Sequence, residues 1–174
     1  MKSFVLPFSD SVEMRFLNAH ALQGPGFPDW QRSFVSGRQS PLFQLEHRID
    51  RENPQLLISR VEFKALCEGP PGLVHGGASA ALIDETMGVI AWHNQRPCVT
   101  EKLNIHYFRA LPLSQPAYLA AWISKSTDKG VEVECGILND GNKTMVAARG
   151  VFHELTQAQL ASLIARMRKP DEIR

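Results

Sequence analysis

Only three cysteines, Cys67, Cys98 and Cys135, occur among the 174 residues. An odd number, far apart and without short paired spacing, suggests neither a disulfide framework nor a zinc site. A reducing cytoplasm suits them. An excess of either charge is also missing: 19 Lys and Arg face 18 Asp and Glu, a formal net charge of +1, which makes no electrostatic case for nucleic acid or a membrane surface. No stretch approaches the roughly 20 apolar residues that cross a bilayer. The opening MKSFVLPFSD meets Pro7, Ser9 and Asp10 before an apolar run develops, so it does not read as a signal peptide. Repeats and low-complexity tracts are lacking too. What is there, 44% hydrophobic and 21% charged residues, is the composition of a globular protein, long enough for one domain with an ordinary core.

Three parts follow from the pattern. Residues 1–38 are irregular, with turn formers and aromatics mixed in GPGFPDW (Gly24 to Trp30), and read as a wrapping segment or lid with room for a short helix. Residues 39–155 form the main domain. PLFQLEHRI and QLLISRVEF alternate and are rich in strand formers, and DRENP between them is turn chemistry, so they predict a hairpin. Gly76 to Trp92 is the long helical candidate, and its apolar residues occupy every side of a 3.6-residue wheel, which marks a helix buried on most of its circumference. After it come the strand-like runs PCVTEKLNIHYF, QPAYLAAWISKS, VEVECGIL and TMVAARGVFHEL, the last two joined by the hairpin signal NDGNK. Residues 156–174 are a C-terminal helix and tail: Thr156 and Gln159 have capping-box spacing, and Leu160, Leu163, Ile164 and Met167 share a face. The class is α+β, an antiparallel sheet wrapped around one long central helix, because each then covers the other's apolar surface.

The central helix carries two acids, Asp84 and Glu85. A carboxylate inside a core is costly unless paired or hydrogen-bonded, and Asp84 has Ala80, Ala81, Met87 and Gly88 as its helical neighbours. At the other end Gly76 and Gly77 offer backbone N–H groups at the positive end of the helix dipole, suited to negative charge developing on a carbonyl oxygen. His75, just before them, is placed to donate to the same oxygen or to fix the turn. The nine-residue step from His75 to Asp84 rises about 13 Å, too far for both to serve one carbonyl carbon from the same helix. Two antiparallel copies across a dimer axis would bring Gly76 of one chain to Asp84 of the other, giving a homodimer with two shared sites.

The stretch HGGASAALIDETMG, preceded by GPPGLV and followed by VTEKLNIHYFRALPL, resembles the PaaI-like acyl-CoA thioesterases of the hotdog-fold superfamily, in the branch with G-P-P-G before H-G-G. The resemblance spans roughly residues 40 to 154. It implies a hotdog fold and hydrolysis of an acyl-CoA to free acid and CoA, with no metal or redox cofactor. By the same resemblance, Asp84 matches the catalytic base or nucleophile, Gly76 the donor that polarises the carbonyl, His75 its helper, and Thr100 a hydroxyl that orients water. Gly77, Glu85 and Asn104 are candidate substrate contacts, Glu85 having the dimer seam or a buried partner as its other places. The assembly implied is a homodimer or a dimer of dimers, a homotetramer.

Two departures bear on the site. An asparagine that contacts the carbonyl in some members is replaced by Gly69, which favours a rival reading as a non-catalytic acyl-CoA-binding module. Strict alternation along Leu103, Ile105 and Tyr107 turns Thr100 to the opposite face unless a bulge intervenes. Trp92, Phe108 and Trp122 read as core, Lys102, Arg109, Lys125 and Lys129 as solvated charges, and Cys98 as a small core residue.

Overall fold

A computed structural model describes residues 4–23, 31, 33–37 and 40–167. Helix α1 (Val12–Asn18) and the short strand β1 (His20–Ala21) precede the expected hairpin, β2 (Phe43–Ile49) and β3 (Leu56–Phe63). Then follow the long helix α2 (Gly76–His93), strands β4 (Cys98–Tyr107), β5 (Ala117–Ser126), β6 (Gly130–Leu138) and β7 (Thr144–Glu154), and helix α3 (Gln157–Met167). The seven strands make one sheet in the order β1-β2-β3-β5-β6-β7-β4, and every neighbouring pair is antiparallel. Because the chain leaves β3 through α2 before β4, β4 reaches the far edge and, among the described residues, pairs only with β7. This is the hotdog arrangement that the motif implied.

Helix α2 lies against one face of the sheet. Leu82, Ile83, Met87, Val89, Ile90 and Ala91 are fully buried, in one cluster with Leu57, Val61, Leu119, Val133 and Ile137 from the strands. Burying a side chain of this size contributes about 1.5–3 kcal/mol, so the helix is held by packing. Asp84, Glu85 and Gly88 are only half-buried and mark the stripe that the sheet leaves uncovered.

The segment before the hairpin covers the other face of the sheet. Val12 and Phe16 of α1 join Leu56, Ile58, Tyr118, Ala120 and Leu138 in a second apolar cluster, and the ring of Phe4 packs tilted against Trp122 with centroids 5.5 Å apart. The turn between β6 and β7 anchors this cover. Asn142 sits there with φ 60°; its Oδ1 accepts from the N–H of Val12 at 2.7 Å and its Nδ2 donates to the carbonyl of Asp10 at 2.6 Å. The hairpin signal in NDGNK thus also caps α1. The stretch GPGFPDW lies outside the described residues. At the other end the capping box is formed: the N–H of Thr156 donates to Gln159 Oε1 at 2.8 Å, and the N–H of Gln159 donates to Thr156 Oγ1 at 3.2 Å. Leu160, Leu163 and Ile164 are half-buried, and the side chain of Met167 lies outside the described residues.

One polar pair is sealed inside. His47 on β2 faces Ser59 on β3, with Nδ1 and Oγ 2.6 Å apart, and Nε2 is buried with no partner among the described residues. Burial lowers the imidazole from 6.5 to about 4. The folded protein holds His47 neutral while the unfolded chain takes up a proton below 6.5, so this stability is complete above 6.5 and is lost progressively as pH falls towards 4. The loss reaches on the order of 3 kcal/mol, at about 1.4 kcal/mol per unit. Urea unfolding at pH 7.0 and 4.5 checks it: the parent should lose more stability between the two than His47→Gln does, and equal losses would remove His47 as the source.

Candidate active site

The site begins at a turn. In GPPGL the N–H of Leu73 donates to the carbonyl of Pro70 at 2.9 Å, and Gly72 has φ +74°. This is a type II turn with Pro71 at its second position and, at the third, the residue that a positive φ requires. Beyond it the N–H of Val74 donates to the carbonyl of Leu111 at 2.9 Å, and that of His75 to the carbonyl of Cys67 at 2.7 Å. The chain is therefore tied down on both sides just before α2 starts. Gly69 packs closely here: a Cβ on it would stand 3.0 Å from the Cα of His75 and 3.2 Å from its Cβ. A side chain at position 69 would thus crowd the segment that carries His75.

His75 is the N-cap of α2. Its Nδ1 accepts from the N–H of Gly77 at 2.9 Å, so in the neutral ring the proton sits on Nε2, free to donate outward. The N–H groups of Ala78 and Ser79 donate to the carbonyl of His75 at 3.0 and 3.2 Å. That accounts for the orphan donors of the first turn except one. The N–H of Gly76 has no partner among the described residues, and it stands at the positive end of an 18-residue helix.

Asp84 lies about 12 Å further along the helix, on its uncovered stripe. Its Oδ1 accepts from Thr100 Oγ1 at 2.7 Å. Thr100 reaches it because β4 is bulged: Thr100 pairs with Phe152 and Lys102 with Val151, so Glu101 is an extra residue. The bulge brings Thr100 to the helix-facing side that Leu103 and Ile105 occupy further along the strand.

Other expected contacts fall elsewhere. Glu85 Oε1 accepts from Ser33 Oγ at 2.8 Å and, at closer range, from Ser36 Oγ, so its carboxylate ties residues 33–37 to α2. Asn104 is exposed between the core-facing Leu103 and Ile105, and alternation turns it to the opposite face from Asp84 and Gly76. The N–H of Gly77 is occupied by His75. Cys98 is buried, its thiol pushed up to about 12 chiefly by desolvation, so it stays protonated at neutral pH. Trp92 is half-buried and donates from Nε1 to the carbonyl of Cys98 at 3.1 Å.

A pocket of about 370 Å3 opens at the start of α2, walled by Leu73, Val74 and Leu111 and rimmed by Gly76, Tyr107 and Phe108. Phe108, expected in the core, is 45% exposed on this rim, and Arg109 also lines the pocket rather than being only a solvated charge. Both follow the end of β4, where strand pattern gives little information about burial. Tyr107 donates from its hydroxyl to the carbonyl of Gly76 at 2.9 Å. Its place beside the glycine pair was readable only as alternation with Leu103 and Ile105.

Residues 71–146, which hold α2, β4 and most of the turn before them, match the family model of the thioesterase superfamily. That stretch is similar to the superfamily's model. Acyl-coenzyme A thioesterase THEM5 of Mus musculus is 34% identical to the chain over 89 residues, 51% of this chain and 36% of that protein. Acyl-coenzyme A thioesterase THEM4 of Mus musculus is 35% identical over 114 residues, 66% of this chain and 47% of that protein. The chain thus spans between about a third and a half of the length of these relatives. Among solved structures, a hypothetical thioesterase protein of Streptococcus pneumoniae TIGR4 with coenzyme A superposes with a TM-score of 0.60 at 17% identity, over 66% of this chain and 88% of that one. No helix among the described residues is long and apolar enough to cross a membrane.

The contact at Gly69 can be tested directly. Adding a Cβ forces the His75 segment to move, and Gly69→Ala should lower the unfolding free energy by about 1 kcal/mol. Urea denaturation measures this, and an unchanged midpoint would show that the two segments separate freely.

Proposed function

We propose that this protein hydrolyses an acyl-coenzyme A thioester to a free carboxylic acid and coenzyme A, as a PaaI-like member of the thioesterase superfamily and with no metal or redox cofactor. The observation that carries the reading is the pair of features on α2: the carboxylate of Asp84 held by Thr100, and the N–H of Gly76 left over after His75 has capped the helix. The names of the THEM4 and THEM5 relatives support the acyl-coenzyme A substrate. Two further solved forms of the Streptococcus pneumoniae protein bear alanine in place of an aspartate and of a threonine. Those two positions are 16 residues apart, the separation of Asp84 and Thr100.

In this mechanism the thioester oxygen accepts from the N–H of Gly76, with His75 Nε2–H as a second donor. Asp84 of the other chain takes a proton from water as the water oxygen bonds to the carbonyl carbon, or its own oxygen attacks to give an acyl intermediate that water then opens. Either way the C–S bond breaks and the sulfur leaves as the thiolate of coenzyme A, to be protonated. Thr100 orients the carboxylate and the water. Negative charge developing on the oxygen is stabilised where the helix dipole is positive, and a donor fixed beforehand needs no reorganisation.

The separation of about 12 Å between Gly76 and Asp84 supports a site shared by two chains. The outer edge of β4 has no partner strand among the described residues, and Val99 and Tyr107 on it are each 50% exposed. A second copy pairing there forms the homodimer of this proposal, alone or within a dimer of dimers, in a cytoplasmic setting that its three free cysteines suit. Gly69 keeps the binding-module alternative alive, since no amide side chain stands beside His75 to share the carbonyl. Stabilisation by acyl-coenzyme A without thiol release would favour that alternative.

Thiol release over short, medium, long and aryl acyl-coenzyme A substrates tests the reading. Asp84→Asn should fold, dimerise and lose at least about 100-fold in kcat, and Thr100→Val about 10-fold. Asp84→Asn at the parent rate would end the assignment.

A further inference from the structure

Two adjacent glycines open α2, and they have the widest backbone freedom of any residues. A donor built on them works only if something outside the glycines holds it. On the N-terminal side, the N–H of His75 is tied to the carbonyl of Cys67 at 2.7 Å, and its ring holds the N–H of Gly77 at 2.9 Å. On the other side of the Gly76 Cα, the Tyr107 hydroxyl donates to the Gly76 carbonyl at 2.9 Å. The ring lies along the same residue: a Cβ on Gly76 would sit 3.5 Å from Tyr107 Cε1 and 3.7 Å from its hydroxyl oxygen, in ordinary contact. The peptide that carries the free N–H is thus bracketed by anchors on both sides.

Tyr107 suits this task. Its backbone is paired with Val146 in β7, so the hydroxyl is delivered from the sheet. It lines the pocket at the helix start and is 50% exposed, so the bond contributes little to the core. Tyr107 lies seven residues from Thr100, an odd step that would place the two on opposite faces of a regular strand. The bulge at Glu101 lets one strand hold the helix at both ends of the site, Thr100 at Asp84 and Tyr107 at Gly76.

We infer that Tyr107 is a positioning residue for the oxyanion donor: its hydroxyl fixes the first turn of α2 so that the Gly76 N–H stays aligned with the thioester oxygen. The inference rests on the hydrolytic reading. It concerns orientation, since the hydroxyl is bonded to the Gly76 carbonyl and acts through that residue.

Tyr107→Phe keeps the ring and removes the hydroxyl. Loss of a whole oxyanion donor costs about 100- to 1,000-fold in kcat, and loosening one should cost less, about 10-fold, with KM within about 2-fold of the parent. Amide hydrogen exchange at Gly77 should quicken as the turn loosens. A purely structural role would not produce the next result. In Gly76→Pro, which lacks the N–H, adding Tyr107→Phe should lower kcat no further, because nothing is left to align. Parent kcat in Tyr107→Phe, a change confined to KM, or full additivity with Gly76→Pro overturns the role of Tyr107 while Asp84→Asn remains inactive. If the parent and Asp84→Asn release thiol equally, the hydrolytic reading fails and the inference with it.

Discussion

A helix enclosed by a sheet can bury its sides, but its first turn still exposes N–H groups that no residue of the helix can satisfy. In this protein that constraint organises the site. The ring of His75 takes the donor of Gly77 and its carbonyl takes those of Ala78 and Ser79, which among the described residues leaves the N–H of Gly76 unpaired at the positive end of the helix. Glycine at that position keeps the approach open, and the G-P-P-G turn with the ties to Cys67 and Leu111 fixes where the helix begins.

The same packing explains why a charged group is tolerated midway along the helix. The buried face carries Leu82, Ile83, Met87 and Ile90, and Asp84 occupies the stripe the sheet leaves half-open. There, among the described residues, it meets a hydroxyl on an edge strand rather than a cation. A carboxylate held by one hydroxyl keeps lone pairs free for water or substrate, whereas a full ion pair would occupy them. Glu85, one residue on, points to Ser33 and Ser36 and serves to attach the preceding chain segment to α2. Adjacent acids on one helix thus have separate duties because they lie about 100° apart around it.

Local signals were the legible ones. The hairpin of β2 and β3, the turn at Asn139 to Lys143, the span of α2 and the capping box of Thr156 and Gln159 each depend on neighbours within a few residues, and each appears in the structure where the pattern put it. Features that depend on distant partners were not legible. The cover formed by α1 on the outer sheet face rests on Asn142, 130 residues from Val12. The partners of Glu85 lie in an irregular segment about 50 residues away. Thr100 needed a bulge that alternation argues against, whereas Asn104 is turned away from the site by its plain alternation with Leu103 and Ile105. Tyr107 had the right periodicity, but its bond to Gly76 requires knowing that β4 runs beside α2.

In the proposed site one chain supplies the donor and the other the carboxylate. Gly76→Pro removes the N–H with little strain, because proline is favoured at the first helical position and the preceding His75 is already extended at φ −63° and ψ 136°. Neither Gly76→Pro nor Asp84→Asn should hydrolyse thioesters well alone. Unfolded together and refolded as an equal mixture, they form mixed dimers with one intact site each, and about a quarter of the parent thiol-release rate should return. A mixture no more active than the average of the two variants, with mixed dimers demonstrated, would contradict a site shared between chains.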